Sequence, residues 1–151
     1  MTKILVFSDS HRQTDTMADA IRTHTPDRVL HLGDHDADAH VLSRLFPDLP
    51  IQAVRGNCDF GSSTPETAEL LIEDKKIIMT HGHRYGVKQG LTSLCNMGHF
   101  ADADILLFGH THIPHHEQIE KMHVINPGPA NRSCALIQIE NGEIAWEHLS
   151  L

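Results

Sequence analysis

The chain has 151 residues, of which 40% are hydrophobic and 21% charged, an ordinary globular composition that excludes extended disorder and a coiled coil and suits one domain over residues 1–151. Its formal net charge of -8 at pH 7 excludes broad electrostatic adhesion to nucleic acid or anionic lipid, since both need a basic surface. Cys58, Cys95 and Cys134 are odd in number and form no Cys-x-x-Cys pair, which argues against a disulfide framework and a structural zinc knot.

Lys3 to Ser8 is a β-branched and aromatic run, the pattern of a strand buried on both faces, and it delivers Asp9 and His11 just past its C-terminal end. The run is far too short for a signal peptide or a membrane span, so the cytoplasm is the expected location. Asp15 to Thr23 places Met17, Ala18 and Ile21 on one helical face, and Pro26 ends that helix before a strand, Arg28 to Leu32, that leads into Gly33-Asp34. A second helix is predicted over Ala37 to Phe46, with Val41, Leu42 and Leu45 inward and Pro47 closing it. The strand Ile51 to Arg55 then reaches Gly56-Asn57-Cys58-Asp59.

Thr67 to Thr80 reads as two strands around Glu73-Asp74-Lys75, the second running into Thr80-His81-Gly82-His83. A helix is predicted over Val87 to Phe100, with Leu91, Leu94 and Cys95 at helical spacing, followed by a strand, Asp104 to Phe108, that runs into Gly109-His110-Thr111-His112. After Pro114 the pattern changes to short strands alone: His115 to Glu120, His123 to Asn126, Cys134 to Ile139 and Glu143 to Leu149. Asn141-Gly142 supplies the positive φ angles of a hairpin turn. These four strands are expected to form a second, largely antiparallel sheet packed on the first.

Ligands in open α/β sheets gather outside the carboxyl ends of strands, so Asp9, His11, Asp34, Asn57, His81, His110 and His112 are expected to meet in space. Imidazole, carboxylate and amide oxygen are donors that suit Mn, Fe, Ni or Zn. Each cluster alone has an ordinary reading as a cap, turn or surface loop; their order, each after a strand, points to a metal centre. His83 reads equally as a phosphate contact and as a loop histidine. Asp36, Asp38, His35 and His40 read as a solvated acidic turn and helix start, and His24, His99, His115, His116, His123 and His148 as surface or strand-edge residues. Arg12, Arg55, Arg84 and Arg132 are candidate phosphate binders, and Tyr85 and Trp146 read as packing residues.

Together the five clusters resemble the calcineurin-like metallophosphoesterase superfamily, whose pattern runs D-x-H, G-D, G-N-H-[DE], G-H and G-H-x-H. The short length and the forms of the third and fourth clusters are most similar to the small bacterial and archaeal phosphodiesterases of the YfcE and MJ0936 type. The resemblance spans Lys3 to about Gly128 and implies an α/β fold, a four-layer αββα sandwich of two mixed β-sheets flanked by helices. It also implies two divalent metal ions per chain, manganese first, with nickel, iron or zinc as alternatives. Asp9, His11 and His112 would hold one ion and Asn57, His81 and His110 the other, with Asp34 bridging; Asp34, Asn57 and His110 carry the catalytic roles.

Two departures stand out. Cys58 occupies the place of the superfamily histidine thought to help protonate the leaving group, and Pro129 replaces the serine of an N-P-G-S segment in Asn126-Pro127-Gly128-Pro129. Cys58, His83 and Arg12 are the candidate substrate contacts. The activity implied is hydrolysis of small phosphodiesters by a metal-bridging hydroxide, with no membrane partner and no extended nucleic-acid binding, and with homo-oligomerisation left open. The alternatives are a catalytically weak, Vps29-like interaction scaffold, or a phosphomonoesterase or nucleotide pyrophosphatase of the same superfamily. A protein phosphatase is disfavoured, because Gly33-Asp34-His35-Asp36-Ala37-Asp38-Ala39 lacks the usual G-D-x-V-D-R-G.

Overall fold

Alternation along the first strand sets the layering. In the computed structural model, which describes residues 1–151, β1 (Thr2–Phe7) turns Ile4 and Val6 into an apolar core between two sheets and Leu5 and Phe7 into a second core under helices. A strand with period-two side chains can bury both faces only if each is covered. The covering helices are α1 (Thr14–His24) and α2 (Ala37–Leu45), which follow β1 and β2 (Arg28–His31). A third strand, β3 (Ile51–Ala53), completes the parallel run β1-β2-β3.

The second sheet is built the same way. The hairpin β4 (Thr67–Ile72) and β5 (Lys75–Thr80) is followed by a 3-10 turn (His83–Tyr85), then by α3 (Thr92–Phe100) and β6 (Ile105–Leu107). Ile77, Met79, Ile105 and Leu107 face the inter-sheet core, while Ile78, Leu106 and Phe108 pack under α3 with Leu94 and Cys95. The predicted helix from Val87 starts only at Thr92, because Gly86 and Gly90 hold positive φ in the segment between, and glycine favours such turns over helix.

The last four strands divide between the sheets and do not form one of their own, which corrects the expectation. β7 (His115–Ile119) and β8 (Met122–Asn126) extend the second sheet to the order β4-β5-β6-β8-β7. β9 (Ser133–Glu140) and β10 (Glu143–Ser150) extend the first to β10-β9-β1-β2-β3. β9 runs antiparallel to β1, and β8 parallel to β6, so both five-stranded sheets are mixed. The result is the four-layer αββα sandwich.

Two side-chain expectations also change. Val41 and Leu45 of α2 are 38% and 50% exposed; Leu42, Ala39 and Asp38 take the inward face, because the Asp38 carboxylate is drawn under the β1 tip by hydrogen bonds. His116, His123 and His148 are not free surface residues. His116 stacks on Trp146 with ring centroids 3.7 Å apart and its Nε2 lies 3.0 Å from His123 Nδ1. His148 donates from Nε2 to the Asn126 carbonyl at 2.7 Å. Because His116 pairs with Ile125, and Trp146 with Ile137, both of the inter-sheet core, these rings close one open side of the sandwich. No helix is long and apolar enough to cross a membrane.

Candidate metal centre

The five clusters meet where the parallel strands of both sheets end. Asp9 leaves β1, Asp34 follows β2, Asn57 follows β3, His81 follows β5, and His110 and His112 follow β6. Asp9, Asp34 and His81 form a buried floor, while His11, Asn57 and His112 sit at an exposed rim with His110 half-buried between. Asp9, His11, Asp34, His110 and His112 all hold positive φ, from 44° at His11 to 72° at His110. Side-chain-bearing residues adopt that region rarely, and sites with a chemical task are where it collects.

Two glycines let the loops approach. A Cβ on Gly56 would lie 2.1 Å from Asp34 Oδ1, and one on Gly109 would lie 2.0 Å from Ser8 Oγ and 3.1 Å from Asp9 Oδ2. The glycine in each motif is therefore a clearance for the neighbouring carboxylate.

The protons locate the purpose of the floor. His81 Nδ1–H donates to the Leu32 carbonyl at 2.8 Å, which in the neutral ring leaves the Nε2 lone pair facing inward. That Nε2 lies 3.1 Å from Asn57 Oδ1, 3.2 Å from His110 Nδ1, 3.5 Å from Asp34 Oδ1 and 3.8 Å from Asp9 Oδ1. Asp9 Oδ2 accepts from Ser8 Oγ–H at 2.7 Å and the His110 N–H at 3.2 Å, but its Oδ1 is buried without a hydrogen-bond donor, with His112 Nε2 at 3.3 Å. Donor atoms of Asp9, His11, Asp34 and His112 all lie within 4.8 Å of one another. Convergent acceptors with an orphaned carboxylate oxygen are costly in isolation and fit a divalent cation.

The local field keeps these groups ready as ligands. Burial alone would raise the Asp34 carboxyl, but the Cys58 N–H, donating at 3.0 Å, and His81 outweigh it and hold it below the usual range. Burial, then His81, pushes both His110 and His83 down, which favours neutral imidazoles. Partial burial and then the Asp34 carboxylate push the exposed Cys58 thiol up, against a thiolate nucleophile.

Of the three candidate substrate contacts, Cys58 borders Asp34, and His83 stands at the lip, its ring 5.5 Å from that of His81 and its Nδ1 without a partner. Arg12 is exposed beside His11. Of the candidate phosphate binders, Arg55 and Arg84 both pair with Glu66, at 3.0 and 2.9 Å.

Sequence reasoning missed the groups that hold the loops. Asp36 and Asp38 are buried, not solvated. Asp38 Oδ2 accepts from Ser10 Oγ–H at 2.6 Å and from the Arg12 N–H at 2.7 Å, and Ser10 Oγ in turn accepts from Nε2–H of fully buried His31, whose Nδ1 accepts the Gly33 N–H. Burial pushes His31 down, consistent with that neutral tautomer. Asp36 accepts a hydrogen bond from Ser62. Asp59 gathers the N–H groups of His35, Asp36 and Gly56, and Asn126 Nδ2 donates to the Gly109 carbonyl and to Thr111 Oγ1. An acidic residue two to four positions after a ligand motif, beside a helix start, was the available signal.

Asp38→Ala strands the Ser10 hydroxyl and the Arg12 N–H, so it is expected to destabilise the fold by about 1–3 kcal/mol. Urea unfolding checks this, and an unchanged midpoint would refute the anchoring role.

Residues 2–142 match the calcineurin-like phosphoesterase superfamily domain. The chain is 32% identical over 148 residues to the probable metallophosphoesterase YsnB of Bacillus subtilis, covering 91% of this chain and 85% of that one. It is also 32% identical over 132 residues to phosphodiesterase YfcE of Escherichia coli K12, covering 82% and 67%. Among solved structures, a conserved protein from Streptococcus pneumoniae TIGR4, described as a predicted phosphoesterase, superposes with a TM-score of 0.80 at 28% identity, over 99% of this chain and 89% of that one. The chain belongs to the calcineurin-like phosphoesterase superfamily.

Proposed function

We propose that this chain is a metal-dependent hydrolase of small phosphodiesters, acting at a dinuclear centre. The observation that carries the reading is the convergence on the floor, where His81 Nε2 faces Asn57 Oδ1, His110 Nδ1 and an oxygen of both Asp34 and Asp9 within 3.8 Å, and Asp9 Oδ1 is buried without a hydrogen-bond partner. Asp9, His11 and His112 would hold one ion and Asn57, His81 and His110 the other, with Asp34 available to both. Manganese is the expected ion and the cytoplasm the expected setting. Divalent cations at such a site would supply Lewis acidity, lowering the pKa of bound water towards neutrality and neutralising phosphoryl oxygens.

The chain's own residues do the rest. The Leu32 carbonyl fixes the ring of His81, and the Ser8 hydroxyl with the His110 N–H fixes Asp9, so these donors keep their orientation through a turnover. Cys58, held protonated beside Asp34, offers the leaving group only a weak S–H donor. Diesters with good leaving groups, such as aryl esters, are therefore the favoured class; the relative YfcE is named a phosphodiesterase. Cys58→His is expected to raise turnover of alkyl esters more than of aryl esters; equal effects on the two would count against this role.

The test of the function is metal analysis of untagged protein, with a screen of bis-aryl phosphodiesters, cyclic nucleotides and phosphomonoesters in the presence of manganese or nickel. Retained metal with diester turnover is expected. Protein that retains no metal and turns over none of them would favour the interaction-scaffold reading, which leaves the orphaned Asp9 oxygen unexplained.

A further inference from the structure

A groove of about 460 Å³ opens beside the candidate centre, lined mainly by Val87, Lys88, Leu91, Phe108, Thr111 and Ile113. Its size falls in the range of about 300–1,000 Å³ common to small-molecule sites, far more than a phosphate alone requires. It is joined to the histidine loops at two points. Thr111 lies between His110 and His112 and is pinned by Asn126 Nδ2. Val87 packs against Gly82, between His81 and His83, so closely that a Cβ on that glycine would meet Val87 at 3.1 Å.

The floor is apolar, with Val87 and Phe108 buried, whereas Ile113 is 64% exposed at the wall and Lys88 stands at the rim. The opposite flank is different in kind. It is lined by His35, Asp36, Cys58, Asp59, Phe60 and Ser62 among others, a surface whose two carboxylates disfavour an anion. The two sides of a bound phosphoester thus meet unlike surfaces.

We propose that this groove seats one organic substituent of the phosphoester, a flat apolar group of about the size of an aryl ring, with Lys88 complementing the negative charge next to it. The inference rests on the phosphoesterase reading of the centre and specifies the substrate class that reading leaves open. Binding there is uniform across ground and transition state, so it governs affinity more than the chemical step.

Calorimetric titration of the manganese-loaded protein with benzylphosphonate and with methylphosphonate, neither of which is hydrolysed, isolates the groove. Wild-type protein is expected to bind benzylphosphonate at least about tenfold more tightly, as burial of a ring predicts. Ile113→Ser and Leu91→Ser are expected to remove most of that preference while leaving methylphosphonate affinity unchanged. Ile113 is exposed enough for its variant to keep the fold. Equal affinities in the wild type, or a preference untouched by both substitutions, would overturn the groove and leave the phosphoesterase reading standing. Failure of both phosphonates to bind metal-loaded protein would overturn the phosphoesterase reading, and the groove with it.

Discussion

Asp34→Asn is expected to lower diester turnover by more than about 100-fold, beyond the upper end of what a residue merely orienting a ligand costs, and to cut the metal content of the purified protein. Asp34 lies between the two halves of the proposed centre. Its Oδ1 lies 3.5 Å from His81 Nε2 on one side, and its carboxylate belongs to the group of Asp9, His11 and His112 on the other. The substitution is nearly isosteric, and the Asn carbonyl can still accept the Cys58 N–H that Asp34 accepts at 3.0 Å, so the loop is expected to stay in place. What is lost is the charge and one of two equivalent oxygens. Elemental analysis and steady-state kinetics on the same preparation check it; full turnover with undiminished metal in the variant would refute the shared role.

Why some of this could be read in the sequence and some could not follows from the range of the forces. The strands before Asp9, Asp34 and Asn57 are local signals, because period and β-branching are properties of a few residues. Their convergence follows from a rule about parallel sheets that holds whatever the intervening residues are. The fates of β9 and β10 are different. Whether Cys134 to Ile139 pairs with β1 or with a neighbour in sequence depends on partners more than 100 residues away, and its alternation is compatible with either. The orientation of α2 was misjudged for a related reason. Hydrophobic spacing favours Val41 and Leu45, but the buried hydrogen bonds of Asp38 to Ser10 and Arg12 set the rotation, and a charge's burial is invisible until its partners are known. His31 carries no local signal beyond that of a strand residue, although its ring anchors Ser10 between Asp9 and His11.

Saturating manganese is expected to raise the thermal midpoint of metal-free protein by about 5–10 °C. A ligand present at 100 times its Kd and bound only by the folded state contributes about 2.7 kcal/mol, and a domain of this size gains about 2–4 °C per kcal/mol. The folded chain must otherwise hold the Asp9 and Asp34 carboxylates close together beside the Asn57 carbonyl and the His81 ring, with Asp9 Oδ1 buried and without a hydrogen-bond partner. Cation binding removes that repulsion, whereas the unfolded chain, with the same groups dispersed, gains little. The Asp34→Asn variant, which lacks one of the carboxylates that would hold the cation, is expected to gain less from manganese than wild type. Scanning calorimetry of both proteins, each with chelator and with manganese, decides it. Equal metal-induced shifts in the two would refute the role of Asp34 in holding the cation, and no shift in the wild type with manganese, nickel or zinc would show that the acceptors at the strand tips hold none.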